Sequence, residues 1–208
     1  MASDLEVGMA IDNLQPQDMA ERLKLIEEMI AEGRCTTEGW AWSFVLWGVA
    51  YYAAIAWSNL GHFNLAWPIV MVAAAVVTVS IGRRAKRNRP GTTVGRALVG
   101  VWTSMGIALF VVLTGLSISG RYEAQLYVAI VGAMLAVANG ASGIVLKWKM
   151  QMACAVVWLG MALAACFLTE GQAGVLFLAA IFFCQIVFGV YLMILEFRRR
   201  SQRGAVHA

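Results

Sequence analysis

The stretch Leu126–Leu146, "LYVAIVGAMLAVANGASGIVL", decides the fold. Its 21 residues carry no charge, and about 20 apolar residues in an α-helix cross a hydrocarbon core of about 30 Å. In lipid a helix satisfies its own backbone, so such a run reads as a transmembrane helix. Within it, Val137–Gly143 ("VANGASG") sets Asn139, Ser142 and two glycines at mid-helix. Gly132, Ala136 and Gly140 form a small-x-x-x-small ridge that Gly143 widens, the usual means of bringing two membrane helices close. Asn139 borders that ridge. It serves either as a hydrogen-bonding side chain between helices, with Gln185 the first partner to expect, or as part of a ligand or ion path, since intramembrane polar groups are costly.

Working outward, five more windows of similar character occur: Trp40–Asn59, Leu65–Ile81, Ala97–Ile118, Met150–Leu168 and Val175–Leu195. Of the 208 residues, 61% are hydrophobic and 13% charged, against about 25% charged in a soluble domain. The fold class expected is therefore all-α: an integral membrane protein of six transmembrane helices arranged as three hairpins, with a cytoplasmic amphipathic N-terminal helix. The divisions are an acidic leader (1–38), a six-helix domain (39–197) and a basic tail (198–208).

Lysine and arginine give the orientation. Of the 16 positive charges, all but Arg121 fall on one side if both termini are cytoplasmic. The connection after the second window supplies the main basic surface, with Arg83, Arg84, Lys86, Arg87 and Arg89. A bacterial inner membrane is the expected location.

The leader carries nine acids against three bases. Met19, Leu23, Ile26 and Ile30 recur on one helical face, Pro16 suits a first turn, and Gly33 a stop. An amphipathic helix is expected over 17–32. It lacks the Lys/Arg-rich polar face of a helix that binds an anionic bilayer. Docking on the basic connection, on a cytoplasmic protein partner, or on another copy of the chain is expected instead.

Trp47, Trp102 and Trp158 stand 55 and 56 residues apart, one per odd window, and each even window ends in basic residues. That spacing suggests a triplicated two-helix unit. Trp47 and Tyr51 lie one turn apart, deeper than the interfacial Trp40, Trp42, Trp57 and Trp67, and are candidates for a cavity wall. Gln185 and Glu196 fall within about 20° of each other on the sixth window.

Sets that carry chemistry are missing. His62 and His207 stand apart from carboxylates and cysteines, the four cysteines form no C-x-x-C pair, and no phosphate-binding loop or nucleophile elbow occurs. No enzyme, metal, cofactor or nucleic-acid partner is expected. The partners are the lipid bilayer, a protein or second copy met through the leader, and copies of the chain in a homo-oligomer.

The run "LKLIEEMIAEGRCTTEGWAWSFVLWGVAYYAAIAW", with Ile26–Ile30 and Leu46–Gly48 as its "IxxMI" and "LWG" elements, resembles an uncharacterised family of small bacterial inner-membrane proteins. "LAWPIVM" from Leu65 and "RALVGVWTSMGIALF" from Arg96 extend the likeness. The three-hairpin layout is also loosely similar to the acid-resistance family of repeated spans. Neither resemblance implies a defined activity. The expected function is that of an accessory or regulatory protein coupling membrane or envelope state to a cytoplasmic partner through its N-terminal helix. The alternative is a small oligomeric transporter or channel lined by polar and small residues of the fourth and sixth windows.

Overall fold

The computed structural model describes residues 16–38, 40–61, 66–86, 93–119 and 123–206, and these are helical with no strand among them. The elements are α1 (Pro16–Glu38), α2 (Ala41–Gly61), α3 (Ala66–Lys86), α4 (Thr93–Ile118), α5 (Ala124–Val145), α6 (Lys149–Ala165), α7 (Glu170–Ile181), a π-helical turn (Phe182–Val187) and α8 (Phe188–Val206). Four stretches are long and apolar enough to cross a membrane: Ala66–Arg84, Thr93–Leu116, Ala124–Val145 and Glu170–Arg198. The first expected window corresponds to α2, whose hydropathy is lowered by Trp42, Trp47, Tyr51, Tyr52 and Trp57. The fifth corresponds to α6, only 17 residues long.

Two boundaries differ from expectation. The leader helix runs through Gly33 to Glu38; a helical glycine costs only about 1 kcal/mol relative to alanine. The basic tail continues the last helix to Val206, because no proline or glycine intervenes between Leu192 and Arg203.

The pairing also departs from three equal hairpins. The most extensive contact is between α5 and α6, which belong to different expected hairpins. A tight turn makes it so. Lys147 takes a left-handed φ of 49°, Trp148 N–H bonds the Gly143 carbonyl at 2.8 Å, and Lys147 N–H bonds Ile144 at 3.1 Å. This double closure is the Schellman motif, with lysine where glycine is usual.

The small-residue ridge of α5 then meets α6. A Cβ on Gly143 would lie 3.0 Å from Met152 N, one on Gly140 3.6 Å from Ala155 Cβ, and one on Gly132 would strike Met161 Cε. A second close crossing joins α2 to the last helix. There a Cβ on Gly189 would lie 2.7 Å from Val45 Cγ2, and one on Gly48 would lie 2.9 Å from Ile186 Cγ1. The last helix thus runs through the centre, touching α2 and α6, while α7 also meets α5. The windows of α5 and of the last helix are 50% and 44% buried, against 17% and 11% for α3 and α4. The latter two are peripheral.

Helix α1 touches α4 and α8. Its apolar stripe is not covered: Met19 is 55%, Leu23 62% and Ile26 50% exposed.

Candidate functional site

Three elements turn amides into the core. Asn139 and Ser142 on α5 are each 1% exposed, Gln151 at the start of α6 is fully buried, and Gln185 in the π turn is 3% exposed. No charged side chain is buried among the described residues. Gln151 heads the inward stripe of α6 that continues through Cys154, Ala155, Trp158, Met161, Ala162 and Ala165, at the three- and four-residue steps of one helix face.

Few of these polar atoms find partners. Asn139 Nδ2 donates to the Leu135 carbonyl of its own helix at 2.8 Å, and its Oδ1 has no hydrogen bond. The expected bond from Asn139 to Gln185 is not made, because the amide reaches back one turn instead. Gln185 Oε1, both amide atoms of Gln151, and Trp158 Nε1 are likewise unpartnered. Ser142 fares better, its Oγ accepting from Trp102 Nε1 at 3.1 Å. Cys154 on α6 and Cys184 in the π turn are both buried free thiols, set close enough to influence each other.

Aromatic layers flank the amides. On one side Phe44 meets Trp102 at 5.5 Å and Phe188 at 5.4 Å edge-on, and Phe188 meets Trp148 at 5.9 Å. On the other, Tyr51 packs on Phe177 at 5.8 Å and Trp67 at 6.1 Å, with Trp158 on Phe177 and Tyr127 on Trp67. Such edge-on pairs fix ring positions beyond what area alone would do. Along their helices, Gln185 falls between Phe177 and Phe188, and Gln151 between Trp148 and Trp158. Trp67 is half-buried and packs against the core, its ring meeting Tyr51 and Tyr127.

Of the other sequence candidates, Tyr51 is buried in the aromatic layer and Trp47 is half-buried. Gly132, Ala136 and Gly143 are buried and Gly140 half-buried on α5. Arg83 and Arg84 are exposed at the end of α3, Lys86 is its last residue, and Arg87 and Arg89 lie outside the described residues.

Sequence reasoning passed over Gln151 and the π turn, and noted Ser142 without giving it a partner. Gln151 follows Lys149 closely enough to look interfacial. The signal that separates it is its place at the head of the stripe on α6. π turns in α-helices concentrate at functional positions, and this one carries Gln185.

Chemically the cluster offers neutral donors and acceptors and two buried free thiols. Among the described residues, no group of three His, Cys, Asp or Glu side chains could hold a metal ion. Compared with protein-family models, curated proteins and solved structures, the chain matches none.

Proposed function

We propose that the chain is a six-span protein of a bacterial inner membrane, with both termini cytoplasmic, that acts as a regulatory or accessory component and not as an enzyme. Its working surface is α1. The observation that carries this reading is the exposed apolar stripe of Met19, Leu23 and Ile26. Fully burying one such side chain stabilises by about 1.5–3 kcal/mol, so a stripe left in water is a surface that gains by meeting a partner. The bilayer is a poor candidate, since Glu21, Glu27 and Glu28 line the same helix and anionic lipid repels them. Contacts of α1 with α4 and α8 supply the route by which strain in the spans reaches the partner.

Two measurements test this. Single cysteines in the connection after α3 and in the tail should react with an impermeant thiol reagent only from the cytoplasmic face. Removing residues 1–33 should abolish association of the protein with its partner and leave the bundle assembled. Labelling from the outer face, or association that survives the truncation, sinks the reading.

A second reading is favoured by one observation, the unpartnered amide oxygens of Asn139, Gln151 and Gln185. A buried polar atom without a partner costs roughly 1–3 kcal/mol, a cost that a passing polar solute would offset. Conduction in liposomes that disappears with Asn139→Leu would establish it, and closed liposomes would eliminate it.

A further inference from the structure

The face of α1 has a second property, independent of its exposure. From Met19 to Leu23, Ile26 and Ile30 the steps are four, three and four residues. This is the heptad rhythm of a coiled-coil seam, in which alternating three- and four-residue steps keep one line of side chains facing a partner helix. The residues beside such a seam select the partner by charge. Arg22 immediately precedes the seam residue Leu23, and Glu27 immediately follows the seam residue Ile26. In a parallel pair, the residue before one seam position lies against the partner's residue five places further on. Arg22 and Glu27 stand in that relation, with opposite signs, and in a symmetric pair the contact is made twice. Neither side chain forms an ion pair among the described residues.

From this we propose that the occupant of the stripe is α1 of a second copy, joined as a parallel coiled coil centred on Leu23 and Ile26. The proposal rests on the reading of α1 as the working surface and names its partner. Two copies inserted in one bilayer share an orientation, so a two-fold axis along the membrane normal presents their leaders side by side. Tethering raises the effective concentration of each leader for the other, which is what a seam of about two heptads needs, since helices this short are marginal alone in water. Met29, 37% exposed beside the seam, widens the apolar contact.

A benzophenone side chain in place of Met19, in the full chain in native membrane vesicles, reports the neighbour by adduct mass on illumination. The expected product has twice the mass of the chain. Leu23→Glu should lower its yield by roughly tenfold or more, the factor that corresponds to 1.4 kcal/mol. Arg22→Glu sets two acids against each other and should lower the yield, while Arg22→Glu combined with Glu27→Arg should restore it. Restoration by the double reversal is not expected of a leader that merely misfolds, and the Leu23→Glu chain must still insert. An adduct of any other mass overturns the pairing of two copies while leaving α1 as a docking surface. Absence of any adduct overturns both the pairing and the docking reading.

Discussion

Gln151 is the residue whose chemistry conflicts most with its place. It is fully buried, and neither amide atom has a hydrogen-bond partner. Replacing a buried, unpaired polar group by an apolar one of similar volume removes a desolvation cost of about 1–3 kcal/mol. Gln151→Met should therefore raise the thermal unfolding midpoint of the protein in detergent. A lower midpoint would show that the amide is paired. The same logic applies more weakly to Asn139, whose Nδ2 is satisfied by Leu135. Asn139 was conspicuous in the sequence because it interrupts an apolar run, whereas Gln151 was hidden by the lysines beside it. A polar residue near a charged turn looks solvated until the stripe it belongs to is followed inward.

Among the elements, the two close crossings are where glycine matters. At Gly189 a Cβ would meet a β-branched side chain at 2.7 Å and the Val45 backbone nitrogen at 3.1 Å, and backbone cannot swing aside. Gly189→Val should cost about 1–3 kcal/mol through overpacking. At Gly106 and Gly160 a Cβ would meet nothing within 4 Å, so alanine at either should be neutral or stabilising by up to about 1 kcal/mol. Equal losses at all three sites, measured by unfolding in detergent, would refute this arrangement. Where the last helix meets α6, Cys154 and Cys184 supply a second check. Diamide, a membrane-permeant oxidant, should take one hydrogen from each thiol and leave an intramolecular disulfide, seen as two fewer reactive thiols by mass labelling. Persistence of both thiols would contradict the contact. Sequence patterning revealed the apolar helices because charge and hydropathy are local. The π turn and the crossing of α2 over the last helix were not legible, since both depend on which helices meet.

For the whole molecule, the distribution of burial is uneven. The core belongs to α5, α6 and the last helix, with α2 laid across it, while α3 and α4 are mostly exposed around their circumference. The apparent sequence repeat hides this, because equal hydropathy is required of a helix facing lipid and of one facing other helices. Trp158 is fully buried, whereas Trp47 and Trp102 are half-buried, so the three similar positions do not share one environment. Among the described residues, the main contacts of helix α1 with the bundle are at α4 and α8. Deleting residues 1–33 should leave the Cys154–Cys184 cross-link obtainable at an unchanged rate; its loss would make the leader part of the bundle's stability.

The unequal lengths of neighbouring helices have a mechanical consequence. Helix α6 has 17 residues, about 25 Å at 1.5 Å per residue, and turns Val156, Leu159 and Leu163 outward. The stretch Glu170–Arg198 beside it has 29 residues, about 43 Å on the same rise. A hydrocarbon core of about 30 Å exceeds the first length and falls short of the second, so if both crossed it the long helix would tilt and the bilayer would thin along α6, at a fraction of a kcal/mol per ångström of mismatch. Crossing one bilayer together, the two helices would couple the protein to membrane thickness, and lipids with shorter chains would relax the mismatch.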